Sequence, residues 1–429
     1  MLRVRRLAAA LLMLGAGVCT AQNRIIPHEI KSVINLKHEG TMDKGNVNDL
    51  CVAYPYVYCA GTPGLATIDV SDPASPALKS EQDSGSVKSF EPCISMNHLY
   101  LANWHEPLRV FSLADPEIPV STFHYNRNED HTYGWQCTAY GNRLYASEGA
   151  SSAFNRVWMY DLSTPSRPAE IVYHEPAHRK TGGLLRIGNI LYFTNNRSLH
   201  YADVSNDTFV MRGSKHLDAL ACKIATDGSH LYVLAKKALD YDDGGGLHVF
   251  SIANPVAPVE VAFWDKNDSP RDVYVHSGMA FVATGGNELF TLDITNPANP
   301  TKIAHTKIED FPICVDGYGK YLYVGSAQDT RRPEEFWGAK LTVVQILEDT
   351  PTPTSTPTAT PTPTPTVMKG DLDADGDLDL FDTLRMVDIL LTRPPDPSPY
   401  ELLAGDMDDD GDVDLFDVLE LVEILIHGP

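Results

Sequence analysis

The stretch from Leu289 to Pro300, LFTLDITNPANP, is the clearest copy of a phrase that recurs through the first 349 residues, and it restricts the chain to a repeat architecture. Leu289, Thr291 and Asp293 alternate with Phe290, Leu292 and Ile294, giving the largely apolar run of a strand covered on both faces. Asn296-Pro297 and Asn299-Pro300 then end the strand in a tight turn, because proline lacks an N–H and restricts the residue before it. Copies start at Leu65, Leu108, Val157, Leu199 and Leu247, and a seventh at Leu341 has lost its prolines. The intervals between starts are 43, 49, 42, 48, 42 and 52 residues, the length of a four-stranded blade, so the expected fold is an all-β, seven-bladed β-propeller.

A hairpin precedes each phrase (Cys51 to Ala60 in the first, Cys314 to Ser326 in the last) and supplies two inner strands. A short outer strand such as Val259 to Phe263 follows the prolines, except in the seventh repeat, where the chain runs on from Leu347 without one. Ile30 to His38 stands alone before the first hairpin and resembles these outer strands. It is expected to pair with Leu341 to Leu347, which closes the ring and removes an exposed edge.

Turns within the hairpins and at the prolines are short. The other connections are long and variable, including Asn126 to Tyr133, Glu148 to Asn155, Glu175 to Gly182, Lys236 to Gly246 and Gln328 to Ala339. In a propeller these emerge on one face, and variable loops on a rigid scaffold are where binding usually resides. Trp104, Trp135 and Trp337, with Tyr133 and Phe336, map there as candidate stacking platforms for a glycan or contacts for a protein ligand. So do His124, His131, His174 and His178 beside Glu129, Asp130 and Glu175, a candidate metal or acid–base group. Glu148, Asp240, Asp242, Asp243 and Glu335 are candidate carboxylates for glycoside or lyase chemistry. Cys51, Cys93, Cys137, Cys222 and Cys314 read as one apolar slot in the innermost strands. Cys51 and Cys59, flanking a turn, leave a cross-hairpin bridge open.

Residues 1–21 read as a secretory signal: Arg3, Arg5 and Arg6 precede the apolar run from Leu7 to Val18, with cleavage expected near Ala21 and a lipid-modified Cys19 as the weaker reading. No later apolar run is long enough for a membrane span. The propeller is expected over 22–349 and a spacer over 350–366, where nine threonines and six prolines impose extended polyproline II. The net charge is −23, of which −15 falls in residues 367–429, so nucleic acid is excluded as a partner and a cation is implied.

That acidic segment holds two 12-residue loops, DLDADGDLDLFD from Asp371 and DMDDDGDVDLFD from Asp406. Carboxylates stand at loop positions 1, 3, 5, 9 and 12, with glycine at position 6, the pattern from which a calcium loop offers oxygen ligands; position 7 contributes its backbone carbonyl. The expected ligand residues are Asp371, Asp373, Asp375, Asp377, Asp379 and Asp382 for one Ca²⁺, and Asp406, Asp408, Asp410, Asp412, Asp414 and Asp417 for a second. An apolar helix follows each loop, Phe381 to Leu391 and Phe416 to Ile426, and the halves repeat with an offset of 35 residues.

Two resemblances follow from these motifs. Residues 370–427 resemble a type I dockerin, a small all-α calcium module, which implies a cohesin-bearing partner and a place in a polysaccharide-degrading or surface assembly. Leu380-Phe381 and Leu415-Phe416 depart from the small hydroxyl residues dockerins commonly carry there, so no particular cohesin is implied. LATIDVSDPASP and LFTLDITNPANP resemble the LVIVD repeat of extracellular bacterial propellers over about 42–347, which implies a fold and a compartment but no reaction. The resulting expectation is a secreted, non-catalytic binding or display propeller carried by a calcium-dependent adaptor. The alternative is a carbohydrate-active enzyme with its site on the long-loop face.

Overall fold

In the computed structural model the chain divides into compact units at 1–350 and 351–429. The structure describes residues 28–36, 46–61, 64–83, 89–103, 106–125, 132–150, 155–176, 181–236, 245–266, 270–327 and 339–347, with scattered positions from 369 to 425 in the second unit.

The first unit is seven antiparallel four-stranded sheets, six of them built from consecutive strands. The seventh takes its outermost strand from the other end of the chain: His28–Leu36 pairs with Ala339–Ile346, and Lys340 stands opposite Asn35. This strand starts and ends two residues before the expected segment. His28 ties it to the sixth blade, its ring nitrogens lying 2.7 Å from Thr306 Oγ1 and 3.1 Å from Thr291 Oγ1.

The second strand of each blade is buried on both faces, and its third residue is an aromatic: Tyr58, Tyr100, Tyr145, Tyr192, Tyr232, Phe281 and Tyr323, all almost wholly inaccessible. A buried hydroxyl needs a partner, and the proline turn of the next blade supplies one. Tyr58 donates to the carbonyl of Pro116 at 2.9 Å, Tyr100 to Pro165 at 3.0 Å and Tyr192 to Pro255 at 2.8 Å. In blades 2, 3 and 5 the first proline of the turn therefore ends a strand and also presents a carbonyl to the neighbouring blade. The other hydroxyls differ: Tyr232 donates to Asp227 Oδ2 at 2.8 Å although blade 6 keeps its prolines, and Tyr323 Oη has no partner among the described residues. Tyr145 faces the proline-free turn of blade 4 and takes Arg186 Nη1 at 2.7 Å instead, and Phe281, ahead of the degenerate seventh phrase, has no hydroxyl to place. Pro73 in blade 1 is taken by Ser32 Oγ of the closing strand at 2.7 Å.

In the second unit, residues 383, 385–387 and 389–390 of the first half and 417–418, 421–422 and 424–425 of the second are helical. One apolar cluster joins the halves, and its members pair at the 35-residue offset: Leu372 with Met407, Leu378 with Val413, Met386 with Leu421, Val387 with Val422, Leu390 with Leu425.

The cysteines are corrected by the strand registers. Cys51 and Cys93 share a slot opposite the buried tyrosine, but Cys137 is opposite Ala146, Cys314 opposite Gly325, and Cys222 sits in a bulge. Cys137, Cys222 and Cys314 stand 8, 10 and 9 residues ahead of the tyrosine, against 7 for Cys51 and Cys93, and that difference takes them out of the slot. Cys51 and Cys59 do not bridge: Cys51 faces Tyr58 and Cys59 faces Leu50, so in a pleated hairpin they point to opposite faces, and both are free thiols.

Candidate functional site

Every innermost strand breaks its pairing once, near its start. One extra residue is accommodated between Val47 and Asp49, Ser89 and Pro92, Gly134 and Gln136, Thr181 and Leu184, Ala221 and Lys223, Pro270 and Asp272, and Pro312 and Cys314. A bulge interrupts the alternation of side chains and re-aims them. Repeated seven times around an axis, it turns Asn48, Phe90, Trp135, Gly182, Cys222, Arg271 and Ile313 into the wall of one cavity of about 490 Å³. At the bulge of blade 4 the wall is backbone, because a Cβ on Gly182 would lie 2.8 Å from the carbonyl of Cys222. Lys236 and Asn196, at the ends of second strands, complete the rim, so the opening lies on the long-loop side.

Beneath this mouth a second cavity of about 210 Å³ holds the charged groups of the axis. Lys223 of blade 5 reaches across to Asp49 of blade 1 at 2.5 Å and Glu91 of blade 2 at 2.8 Å, with Asp272 of blade 6 at 4.0 Å. Backbone N–H groups hold the remaining oxygens. Asp49 accepts from Leu50, Asp272 from Val273 and from Val315 of blade 7, and Asp316 from Gly317 and from Val52 of blade 1. The axis therefore binds blades 1, 2, 5, 6 and 7 together.

Burial sets the protonation of this group. It pushes Glu91 up to about 8 and Asp272 up to about 7, Lys223 only partly offsetting it, and Asp316 up to about 6. Burial also works against the charge on Lys223, but Asp49, Glu91 and Asp272 outweigh it and hold the ammonium well above the ordinary lysine value.

The expected site residues distribute as follows. Trp135 lines the mouth and Tyr133 is buried behind it, ring centroids 6.0 Å apart; Trp104, Phe336 and Trp337 lie outside the described residues. Glu148 is not in a loop: it is buried within the strand Arg143–Ala150, while Asp240, Asp242, Asp243 and Glu335 lie outside the described residues. His174 packs against Phe193 and Phe209 and burial lowers its pKa; Glu175 pairs with Arg156 at 3.3 Å, and His124 stands 4.0 Å from Glu106. His131, His178, Glu129 and Asp130 lie outside the described residues, and among the described residues no three His, Cys, Asp or Glu side chains are grouped to hold a metal.

Of the twelve aspartates expected as calcium ligands only Asp417 is described. It is buried, and its Oδ1 accepts the N–H of Met407 at 2.6 Å, so the twelfth residue of the second loop folds back onto its second. Asp371, Asp373, Asp375, Asp377, Asp379, Asp382, Asp406, Asp408, Asp410, Asp412 and Asp414 lie outside the described residues.

Architecture and axis together define a seven-bladed all-β propeller with a cavity at its central mouth. More particularly, residues 44–83 and 269–305 match the LVIVD repeat, so the chain carries LVIVD repeats. Among solved structures the fold is similar to a chain of a mitotic checkpoint complex (13% identity, TM-score 0.58, covering 76% of this chain and 94% of that one). It is also similar to the β-propeller domain of Myceliophteria thermophila Cps50 (Swd1) (12%, 0.55, 75% and 100%) and to the WD40 propeller domain of Doa1 (9%, 0.53, 75% and 97%). At such identities the likeness concerns fold alone. No curated protein matches the chain.

Proposed function

We propose that the chain is an exported, non-catalytic protein in which the propeller binds or displays and residues 367–429 act as a calcium-dependent dockerin that attaches it to a cohesin-bearing partner, in a polysaccharide-degrading or cell-surface assembly. One observation carries the adaptor half: the second unit packs as two halves related by a constant offset, with homologous residues meeting in one small core. The oxygen-only donor set of the two acidic loops fits a hard cation of flexible coordination, Ca²⁺ before Mg²⁺. Asp371 to Asp382 would hold one ion and Asp406 to Asp417 the other. Their mutual repulsion is relieved when the ions bind.

The binding half rests on the mouth, where all seven innermost strands spend a bulge on lining one cavity. The axial carboxylates below it are occupied by Lys223 and by backbone N–H groups, which suits a structural role better than acid–base work.

The test is capture of a cohesin module by the full chain on a surface, in Ca²⁺ and in chelator. Capture that requires Ca²⁺ supports the reading, and retention unchanged in chelator, or no capture from a panel of cohesins and the producing cell's surface proteins, overturns the adaptor. A reducing-end assay on polysaccharides run in parallel tests the enzyme alternative, since new ends would make the propeller catalytic.

A further inference from the structure

We infer that the axial mouth is a binding site for an acidic sugar, a pyranose ring bearing a carboxylate such as a terminal uronic acid of a glycan. The inference deepens the binding role proposed above and rests on it.

The size and lining of the mouth select the ligand. A cavity of about 490 Å³ lies within the usual range for small-ligand pockets and suits one or two sugar rings rather than a chain passing along the surface. One side is an apolar platform: Trp135, with the Phe90 ring 5.0 Å away, faced by Ile313 and Leu220. A flat amphipathic surface of this kind accepts the C–H face of a pyranose. Gln136 offers a buried Oε1 with no hydrogen-bond partner, an acceptor available to a hydroxyl, which favours a hydroxylated ring over a purely aromatic acid.

Charge selects the carboxylate. The chain as a whole carries −23, yet Lys236 and Arg271 reach the same opening, and among the described residues neither makes an ion pair or a side-chain hydrogen bond. Two cations without an ion pair among the described residues, at a concave mouth on an acidic protein, focus the local potential toward an anion, and an arginine presents a fork matched to a carboxylate. Among the described residues the one carboxylate in the wall, Asp49, is neutralised by Lys223 at 2.5 Å. Below it Glu91 and Asp272, raised by burial, carry less than full charge at neutral pH. The opening is thus cationic at its rim and close to compensated at its floor, the polarity an acidic ring requires.

The test is calorimetric titration of the full chain with D-galacturonate and digalacturonate, against D-galactose and 4-hydroxybenzoate. Expected are binding of the uronates, affinity at least about ten-fold weaker for galactose, and weakening of the uronates by added salt, as loss of charge-assisted contacts requires. The double variant Lys236→Gln, Arg271→Gln replaces rim side chains that support no other described contact. It removes the preference for uronate over galactose, and Trp135→Ala weakens both sugars, with melting curves confirming that each variant is folded. Equal affinity for galactose and galacturonate, preference for 4-hydroxybenzoate, or binding unaffected by the double variant overturns the inference. Absence of binding by all four compounds overturns it too. None of these results bears on calcium-dependent capture of a cohesin, which tests the adaptor separately.

Discussion

Replacing Lys223 by methionine keeps the length and apolar stem of the side chain and removes one charge from the axis. Asp49, Glu91 and Asp272 are then left around a site where the ammonium stood at 2.5, 2.8 and 4.0 Å. Breaking a buried ion pair from one side costs about 3–5 kcal/mol, because the remaining charge is uncompensated. At about 2 °C per kcal/mol for a large domain, the propeller should melt roughly 6–10 °C lower. The cost depends on pH with a definite sign. Glu91, Asp272 and Asp316 have folded pKa values raised to about 8, 7 and 6, so between the ordinary carboxylate range and those values the folded state holds more protons than the unfolded. Their contribution is fully present at low pH and declines as pH rises through 6 to 8. Lys223 opposes that decline across the whole window, since its own proton is lost only at alkaline pH. The variant should therefore lose little at pH 5 and most at pH 8. All five tryptophans precede residue 350, so fluorescence-detected melting of the full chain reports the propeller. Adding Asp49→Asn and Glu91→Gln to the variant should restore most of the loss at pH 8. A shift within 1 °C of the parent, a loss equal at both pH values, or no recovery in the triple variant would show that the lysine does not organise the axis.

Four further outcomes are expected. Tyr100→Phe, which leaves the carbonyl of Pro165 without its donor, should cost about 1 kcal/mol, and Tyr58→Phe and Tyr192→Phe the same, in chemical denaturation. Deleting residues 28–36 should abolish cooperative melting of the whole ring rather than trim its edge, and an unchanged transition would refute closure through that strand. Burial lowers His28 to about 4, so the closing seam should be fully stable above about 6.5 and weaken as pH falls toward 4; His28→Gln should flatten that acid limb. Chelator, or Asp382→Ala, should reduce the helical far-UV signal and the apparent stability of the second unit, and a signal indifferent to chelator would remove calcium from its folding.

Repeat length, the alternation of LFTLDI and the proline turns made the propeller legible, because each is a local rule that recurs often enough to set the period even though blades 4 and 7 lack the proline turn. The closing strand was legible as an outer strand with no blade of its own. The axis was not. Bulges shift the period by one residue at a point no propensity marks. The cysteines fall out of one slot for another reason: Cys137, Cys222 and Cys314 stand one to three residues farther from the tyrosine than Cys51 and Cys93. A signal was present all the same. Asp49, Glu91, Lys223 and Asp316 are lone charges in their strands, Asp272 shares its strand with the exposed Arg271, and a buried charge is tolerated only where it meets an opposite one or a backbone donor.

The seven bulges also explain why the mouth and the axis differ in character although they share the same strands. At each bulge two successive side chains meet the axis at different depths. The outer one faces the opening and is free to vary from Asn48 to Trp135 to Arg271. In blades 1, 3, 5 and 6 the inner one, Asp49, Gln136, Lys223 or Asp272, points into the shared interior, where one cation must serve several anions. Substitutions at the outer positions should therefore change what the mouth accepts with little effect on melting, whereas those at the inner positions should lower stability first. Arg271→Gln and Asp272→Asn, adjacent in sequence and on the same strand, make the comparison directly. The first should leave the transition within about 1 °C, as expected for an exposed side chain with no partner among the described residues. The second removes the charge next to Lys223 and replaces by an amide nitrogen one of the two oxygens, of which Oδ1 accepts from Val273 and Oδ2 from Val315 of blade 7, and should lower the transition several-fold more. Equal effects of the two would mean that the bulge does not separate binding from support.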